Sequence, residues 1–188
     1  MSSDVQSIIA RHDPAHWHRS LRHRPKANLP FDPSRIPADA SLLFDSTVYI
    51  DQLKGQLPSF IVDLIASRTI FHGAPALAEL AVTIGALDPT DHRTRSTLMP
   101  IVETLERIDS SRIVAPSYEV WLEASIISGI LARTQSIAKH DRRKFLNDSL
   151  LFLLAADHGC VMISRNSRDL DLLLQIKPQT AVLLYDKS

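Results

Sequence analysis

The sequence has one cysteine, few glycines and no excess of either charge, and each shortage excludes a class of protein. Cys160 is the only cysteine in 188 residues, so no internal disulfide can form and we expect a reducing, cytoplasmic setting. The five glycines never fall in the G-x-G-x-x-G spacing, which excludes a Rossmann-type dinucleotide site. No apolar run approaches the ~18 residues of a membrane span. No signal-peptide apolar region precedes the first charge cluster, so we expect neither a membrane span nor a signal peptide.

Charge is balanced over the whole chain. Lys and Arg number 21, Asp and Glu number 21, and the formal net charge is +0. A neutral chain does not wrap nucleic acid by gross electrostatic attraction, although a local basic rim can still contact phosphates. Hydrophobic residues make up 45% of the chain, and 188 residues suffice for one domain with a substantial core.

Residues 1–40 differ in composition from the rest of the chain. They are rich in proline and carry four of the eight histidines, with a basic cluster around His23. The prolines prevent long helices and the apolar content is too low for an independent core, so we expect an N-terminal arm with at most a short helix near residues 3–11. Two interpretations stay open: an extended arm lying on the domain, or a tail that contacts phosphates or docks a partner.

Between residues 41 and 188, short β-prone runs alternate with helical stretches. The main helical stretches cover residues 93–108, 116–131 and 141–158, and the pattern of the second places Val120, Trp121 and Leu131 inward. Such alternation predicts a parallel sheet in an α/β domain that begins near residue 41. The predicted strands are 42–44, 69–72, 112–114, 160–163 and 181–184.

Acidic residues follow two of the predicted strands. Asp45 comes directly after the strand at 42–44, and Asp169 lies just beyond the strand at 160–163. Ligands of open parallel sheets bind beyond the carboxyl ends of the strands, so both acids lie where a functional site is expected. Asp45 has a second interpretation, as the N-cap of the helix that follows it.

Asp148 reaches the same edge of the sheet if its helix runs opposite to the following strand. From Asp148 to Gly159, about ten helical residues span roughly 15 Å. The strand then returns over about five residues, roughly 16 Å. Because the lengths match, we predict that Asp148 and Asp169 end at one level, with Gly159 at the C′ position of the helix.

Glu79 is the only charged residue between His72 and Asp88. An acid in such an apolar helix is costly unless it is paired or bound to a metal, and otherwise it faces solvent. Both interpretations stay open.

Converging carboxylates predict a hard metal ion. Carboxylates about 4–6 Å apart repel one another and raise each other's pKa values, a penalty that a divalent cation removes. Mg²⁺ takes oxygen ligands, keeps several waters and suits phosphate substrates. Such a site can lower the pKa of a bound water and stabilise both oxygens of an in-line displacement. Zinc is not expected, because no cysteine pair lies beside these acids.

A basic run precedes Asp148 and contains Arg142, Arg143 and Lys144. It forms either the solvated start of a helix or a phosphate-steering rim beside the acids. Arg165, in the polar turn after the strand at 160–163, is a fourth candidate for that rim.

Four short motifs carry a resemblance to a known family. They are Leu-Leu-Phe-Asp45-Ser-Thr, Pro75-Ala-Leu-Ala-Glu79-Leu, Asn147-Asp148-Ser-Leu-Leu and Ile163-Ser-Arg-Asn166-Ser-Arg-Asp169-Leu. In this order and spacing they resemble the PIN-domain family, and most of all the VapC-type toxins of type II toxin–antitoxin pairs. The resemblance covers residues 41–188, and residues 1–40 lie outside it.

The resemblance implies a three-layer α/β/α PIN-like domain with a short central parallel sheet, and endoribonuclease activity on RNA with Mg²⁺ or Mn²⁺. It also implies a small antitoxin partner and a homodimer. Ser46 or Thr47 and Asn166 match its supporting polar positions. Asp171 competes with Asp169 as the fourth acid, although the Asn-x-x-Asp spacing favours Asp169. The acidic cluster that the resemblance implies is Asp45, Glu79, Asp148 and Asp169, with the metal on Asp45, Asp148 and Asp169.

Two functions other than a ribonuclease are alternatives, a non-cutting binding module and a phosphatase. A PIN-like module that binds RNA or protein without cutting is compatible with the neutral charge and the arm. A phosphatase that uses Asp45 as nucleophile usually needs a second acid two residues on, where this chain has Thr47. The presence of all four acids favours the enzyme.

Overall fold

A sheet of five parallel strands forms the centre of the molecule. The computed structural model describes residues 2–187, apart from the side chains of residues 2–4 and 14. The strand order is β3-β2-β1-β4-β5, and every neighbouring pair is parallel. The predicted three-layer α/β/α architecture is confirmed, as are all five predicted strands. The strands are β1 Leu42–Phe44, β2 Ile70–Gly73, β3 Ile113–Val114, β4 Val161–Ser164 and β5 Val182–Leu184.

Helices connect the strands and flank the sheet. The longest two, α6 and α7, pack against each other, and α7 also packs on β4 and α8. Single 3-10 turns occur at Pro14–His16, Lys26–Asn28, Pro33–Arg35 and Ser110–Arg112. The helices are α1 Ser2–Arg11, α2 Ser46–Leu53, α3 Ser59–Ser67, α4 Ala74–Ala86, α5 Thr94–Glu106, α6 Tyr118–Thr134, α7 Arg142–Asp157 and α8 Ser167–Ile176.

The strand register brings the ends of β1 and β4 to one level. Phe44 is the last residue of β1 and pairs with Ile163 of β4. Asp45 and Ser164 therefore follow at adjacent positions on the carboxyl edge of the sheet. Both central strands are buried throughout, as expected of apolar runs in a parallel sheet covered on both faces.

Helix α7 crosses the core and ends where the sequence predicts. Residues 148–155 of this helix are all buried. Gly159 has a φ of +62°, a left-handed conformation that glycine adopts without steric cost, and the chain there reverses into β4. At the crossing, a Cβ on Gly73 would lie 2.6 Å from the side chain of Leu151, so β2 and α7 approach closely. Asp148, in the second turn of the helix, therefore lies near the carboxyl edge of the sheet.

One inward position in α6 was predicted wrongly. Trp121 is 45% exposed, whereas Val120, Ala124 and Leu131 are buried. Successive helical residues differ by about 100° around the axis, so a face that contains Val120 and Ala124 turns Trp121 toward solvent.

The N-terminal arm packs against the domain. His12, at the end of α1, contacts Glu123 of α6 at 2.8 Å. Farther along the arm, the carbonyl of Pro30 accepts a 2.8 Å hydrogen bond from the backbone N–H of Leu184 in β5. Apolar side chains of the arm, among them Leu29 and Phe31, lie on the core. The arm thus runs along the β5 side of the sheet.

Within residues 2–187, none of the helices has both the length and the apolar character that a membrane span requires.

Candidate metal centre

Asp45 is buried at the carboxyl end of β1. It occupies the N-cap position of α2, but its carboxylate makes no capping hydrogen bond. One carboxylate oxygen, Oδ2, instead accepts hydrogen bonds from Ser164 Oγ at 2.6 Å and Thr47 Oγ1 at 2.7 Å. Ser46 Oγ donates a longer bond, 3.4 Å, to Oδ1. The acid is therefore held in place by hydroxyl groups of two neighbouring strand ends.

Asn166 connects Asp148 with Asp169. Its side-chain Nδ2 donates to Asp148 Oδ2 at 3.1 Å and to Asp169 Oδ2 at 2.9 Å. The other end of the same amide accepts from the backbone N–H of Asp169 and caps α8. Lys144 Nζ adds an ion pair of 3.2 Å to Asp169. The level match predicted for Asp148 and Asp169 is therefore present, with one amide nitrogen between them.

Glu79 reaches the same region from α4. It is partly buried, and its Oε1 accepts a 3.0 Å hydrogen bond from the side chain of Asn147. Asn147 is the residue before Asp148, so adjacent residues of α7 supply one of the acids and the hydrogen-bond donor to another. Glu79 is thus paired, as an acid in an apolar helix must be.

Asp148 is electrostatically coupled to the other three acids. Burial raises the pKa of Asp148 well above its usual range, and repulsion by Asp45, Asp169 and Glu79 raises it further, while Lys144 opposes the shift. Burial also raises the pKa of Asp45, against the hydrogen bonds from Ser164 and Thr47, and Glu79 adds repulsion. Negative charge at this edge of the sheet is therefore costly in the absence of a cation.

The donor chemistry fits a hard cation, although the acids do not form a complete ligand shell. Within residues 2–187, no three His, Cys, Asp or Glu side chains are close enough together to hold a metal ion. Mg²⁺ needs only one or two carboxylates, because it keeps several waters and takes oxygens from the substrate. Asp45 and Asp148, buried and mutually repelling, supply that number. The site fits Mg²⁺ or Mn²⁺ on this ground.

Asp171 lies outside the acidic cluster. It is 1% exposed, and its carboxylate accepts from the Arg24 side chain at 2.6 Å and from the Arg24 backbone at 2.9 Å. The His23 ring lies 3.2 Å away. Burial alone would raise the pKa of Asp171, but these bonds outweigh it and leave the pKa below its usual value. Asp171 therefore anchors the arm, and Asp169 is the acid that contacts the cluster.

The four rim candidates are in three different settings. Lys144 lies beside Asp169, but Arg142 and Arg143 line a separate groove between α6 and α7. The Arg165 side chain donates to Asp51 Oδ2 at 2.6 Å and is therefore already paired. Within residues 2–187, Lys144 is the one candidate of the four that forms an ion pair with an acid of the cluster.

Three residues that contribute to the site were not identified as functional candidates from the sequence. Ser164 ends β4 and bonds Asp45, and Asn147 bonds Glu79. Asp51 is fully buried and accepts from both Arg165 and Tyr185, at 2.6 and 2.9 Å. The Arg165 backbone N–H in turn donates to Thr47 Oγ1 at 3.2 Å. A polar residue at a strand end was the one available signal, and it applied to Ser164.

Comparison with known proteins gives structural similarity without sequence similarity. No protein-family model matches the chain, and no curated protein matches it. Solved structures do match, at 14–18% identity. The match to VapBC2 from Rickettsia felis bound to a promoter DNA fragment has a TM-score of 0.53 and 14% identity, over 78% of this chain and 99% of that chain.

Two further structures agree. VapBC-1 from nontypeable Haemophilus influenzae matches with a TM-score of 0.52 and 15% identity, over 77% of this chain and 97% of that chain. FitAcB from Neisseria gonorrhoeae matches with a TM-score of 0.51 and 18% identity, over 76% of this chain and 96% of that chain. At identities this low, the structural matches establish the fold and nothing beyond it. The chain has the PIN-domain fold found in the VapBC and FitAB structures, as its four acidic motifs predicted.

Proposed function

We propose that this protein is a metal-dependent endoribonuclease and the toxin of a toxin–antitoxin pair. One observation carries the proposal: at the carboxyl edge of a parallel sheet, burial and then repulsion by three other acids raise the pKa of Asp148. A buried carboxylate repelled by three neighbouring acids is unfavourable for a purely structural role, whereas a site that binds a cation gains from it. The fold, shared with structures of VapBC and FitAB toxin–antitoxin complexes, supports the same assignment.

The ion would be held by Asp45 and Asp148, with Asp169 as the third predicted ligand and Glu79 nearby. When bound, Mg²⁺ or Mn²⁺ supplies a water of lowered pKa and neutralises charge on a phosphate. The contribution of the protein is to position the carboxylate oxygens that would hold the ion. Ser164 and Thr47 fix Asp45, and Asn166 fixes Asp148 relative to Asp169.

Lys144 adds a positive charge to the edge of the site. Its ammonium pairs with Asp169 at 3.2 Å and remains largely exposed. Attraction by Asp148 and Asp169 outweighs the effect of burial and raises the pKa of Lys144, so this side chain stays protonated. A phosphate that approaches the acids meets this cation first, which offsets their repulsion.

RNA is the proposed substrate, and two protein partners are proposed with it. The first is a small antitoxin, because the VapBC and FitAB structures that share the fold are toxin–antitoxin complexes. The second is another copy of this chain, in a homodimer. Light scattering of the purified protein, alone and co-expressed with the product of an adjacent short reading frame, tests both.

Cleavage of RNA by the Asp148→Asn variant tests the enzymatic proposal. We expect the wild-type chain to cleave a structured RNA with Mg²⁺ or Mn²⁺ and not with EDTA, and the variant to lose at least ~10²-fold of that rate. Asp157→Asn is the matched control, since Asp157 lies exposed at the other end of the same helix. Undiminished cleavage by the Asp148→Asn protein would assign the activity to a contaminant or another site.

The alternative is a PIN-like module that binds RNA or protein without cutting. Its specific support is the missing three-acid ligand group within residues 2–187. This alternative predicts RNA binding that is equal in the wild type and the Asp148→Asn variant, with no cleavage by either. The pair of assays therefore separates the two functions.

A further inference from the structure

A cavity of about 560 Å³ adjoins the acidic cluster, and His23 of the N-terminal arm forms one of its walls. Lys144 and Asp169 of the cluster lie at its edge. His23 of the arm and Arg168 of α8 also line it, and Phe145 and Leu172 contribute apolar surface. The cavity therefore shares Asp169 and Asn166 with the proposed metal centre and is built partly from a segment outside the PIN-like domain.

The arm is fixed where it meets this cavity. Ser20 contacts the side-chain amide of Gln135 at 3.0 Å, and the carbonyl of Arg22 accepts from Gln175 at 3.1 Å. Arg24 binds Asp171 through its backbone and its side chain. Each of these contacts joins the arm to the domain within four residues of His23.

His23 itself has a defined orientation. Its Nδ1 lies 3.2 Å from Asp171 Oδ2, and the ring is exposed over 44% of the side chain. A carboxylate on one ring nitrogen fixes an imidazole and leaves the other nitrogen, Nε2, to face a ligand. His23 lines the cavity, and Nε2 is the ring nitrogen that Asp171 does not engage.

The lining combines groups that suit one nucleotide. Lys144, Arg168 and His23 are donors for phosphate oxygens. Phe145 and Leu172 are each 4% exposed and make an apolar base to the cavity. The volume lies within the range of roughly 300–1,000 Å³ in which proteins hold small ligands. Asp141 and Asp169 also line the cavity and repel a phosphate, a cost that the further contacts of a polymer can offset and a free anion cannot.

We propose that this cavity binds the nucleotide next to the scissile phosphate of a single-stranded RNA, and that His23 and Arg168 contact its phosphate. The inference rests on the proposed function, since it assigns the substrate strand to the cavity beside the acids. The arm then belongs to the substrate-binding surface. Chains with the PIN-like domain alone would lack this wall.

Binding, measured apart from cleavage, tests the proposal. The Asp148→Asn protein serves as background, with a fluorescein-labelled single-stranded RNA of about twelve nucleotides and anisotropy as the readout. We expect His23→Ala and Arg168→Ala each to weaken binding by about fivefold and to reduce the salt dependence by about one phosphate contact. His18→Ala, in an exposed histidine of the same arm, should stay within about twofold of the background.

A second variant separates RNA contact from arm docking. His23→Asn keeps a donor for Asp171 but lacks the far side of the ring. If His23 contacts RNA, this variant binds as weakly as His23→Ala; if it only docks the arm, affinity returns to the background value and the proposal is overturned. Thermal melting checks that both variants are folded.

The outcomes distinguish this proposal from the nuclease assignment. Equal affinity of the background, His23→Ala and Arg168→Ala proteins overturns the subsite even if the wild type cleaves RNA. Absence of RNA binding by the background protein also overturns it. Weakened binding in both variants supports the subsite even if no cleavage by the wild type is found.

Discussion

Asn166 donates a hydrogen bond of 3.1 Å to the carboxylate of Asp148, and so joins the start of α8 to the first half of α7. The same side chain caps α8. Asn166→Ser should keep most of the cap, because Ser is also a preferred N-cap residue, but should lose the bond to Asp148. We expect stability within about 0.5 kcal/mol of wild type and a loss of about tenfold in cleavage. Urea denaturation and an RNA cleavage assay measure the two effects.

The matched control for this prediction is Asn166→Ala, which removes both functions of the side chain. It should lose the same activity and an additional ~1 kcal/mol of stability. If Asn166→Ser retained full cleavage, Asn166 would be a helix cap without a role in positioning the acids.

Replacement of Asp148 should stabilise the metal-free protein. Its buried carboxylate is repelled by Asp45, Asp169 and Glu79, so the neutral Asp148→Asn removes an unfavourable interaction. In EDTA we expect the melting temperature to rise by several degrees, about 1 kcal/mol for a chain of this size. Added Mg²⁺ should raise the melting temperature of the wild type more than that of the variant, because it binds the folded wild type more tightly. A variant that is less stable than wild type in EDTA would contradict the repulsion.

The cluster of Glu123, His12 and Lys177 should make the stability of the fold depend on pH. Burial raises the pKa of Glu123, but hydrogen bonds from His12 and Lys177 outweigh it and lower the pKa to about 2. The lowered pKa stabilises the fold above the unfolded-state pKa, and this stabilisation is lost as the pH falls toward 2. At pH 7 it is on the order of 3 kcal/mol.

The corresponding variant is Glu123→Gln, and Glu119→Gln is the control on the exposed side of the same helix. Urea denaturation at pH 7 and pH 3 should show a smaller pH dependence in Glu123→Gln than in wild type. Identical pH profiles for the two proteins would show that the cluster does not stabilise the fold.

The bond between Arg24 and Asp171 should hold the arm on the domain. Asp171 is fully buried, and Arg24→Ala removes its guanidinium partner, leaving it only the backbone N–H of residue 24 and His23, at a cost of about 3 kcal/mol. We expect lower resistance to urea and faster proteolysis within residues 12–40. Arg22→Ala, two residues away and exposed, should behave as wild type. Restored stability in the Arg24→Ala, Asp171→Asn double variant would assign the loss to the buried charge.

The sequence predicted the fold well because the relevant signals are local. Apolar runs gave the five strands, and the matched lengths of α7 and β4 gave the level of Asp148. Gly159 ended the helix as predicted, since a left-handed residue is needed there. The inward orientation predicted for Trp121 was wrong, because the edges of a helical face about 100° wide do not separate neighbouring positions.

The supporting contacts of the site were not predictable in the same way. Ser164 bonds Asp45 across 119 residues, and Asn147 bonds Glu79 across 68. Arg165, a candidate for the RNA rim, is instead paired with Asp51, which lies 114 residues away. The choice between Asp169 and Asp171 likewise depended on Arg24, a residue of the arm whose docking no local pattern indicates.

Binding of Mn²⁺, followed by electron paramagnetic resonance, tests the central claim most directly. If the acids form one metal centre, the wild type binds Mn²⁺, and Asp45→Asn and Asp148→Asn each weaken binding by at least about tenfold. The double variant should be little worse than either single variant, because groups that act as a unit are not additive. Asp157→Asn should bind as wild type. Equal Mn²⁺ affinity in the wild type, Asp45→Asn and Asp148→Asn proteins would contradict the account.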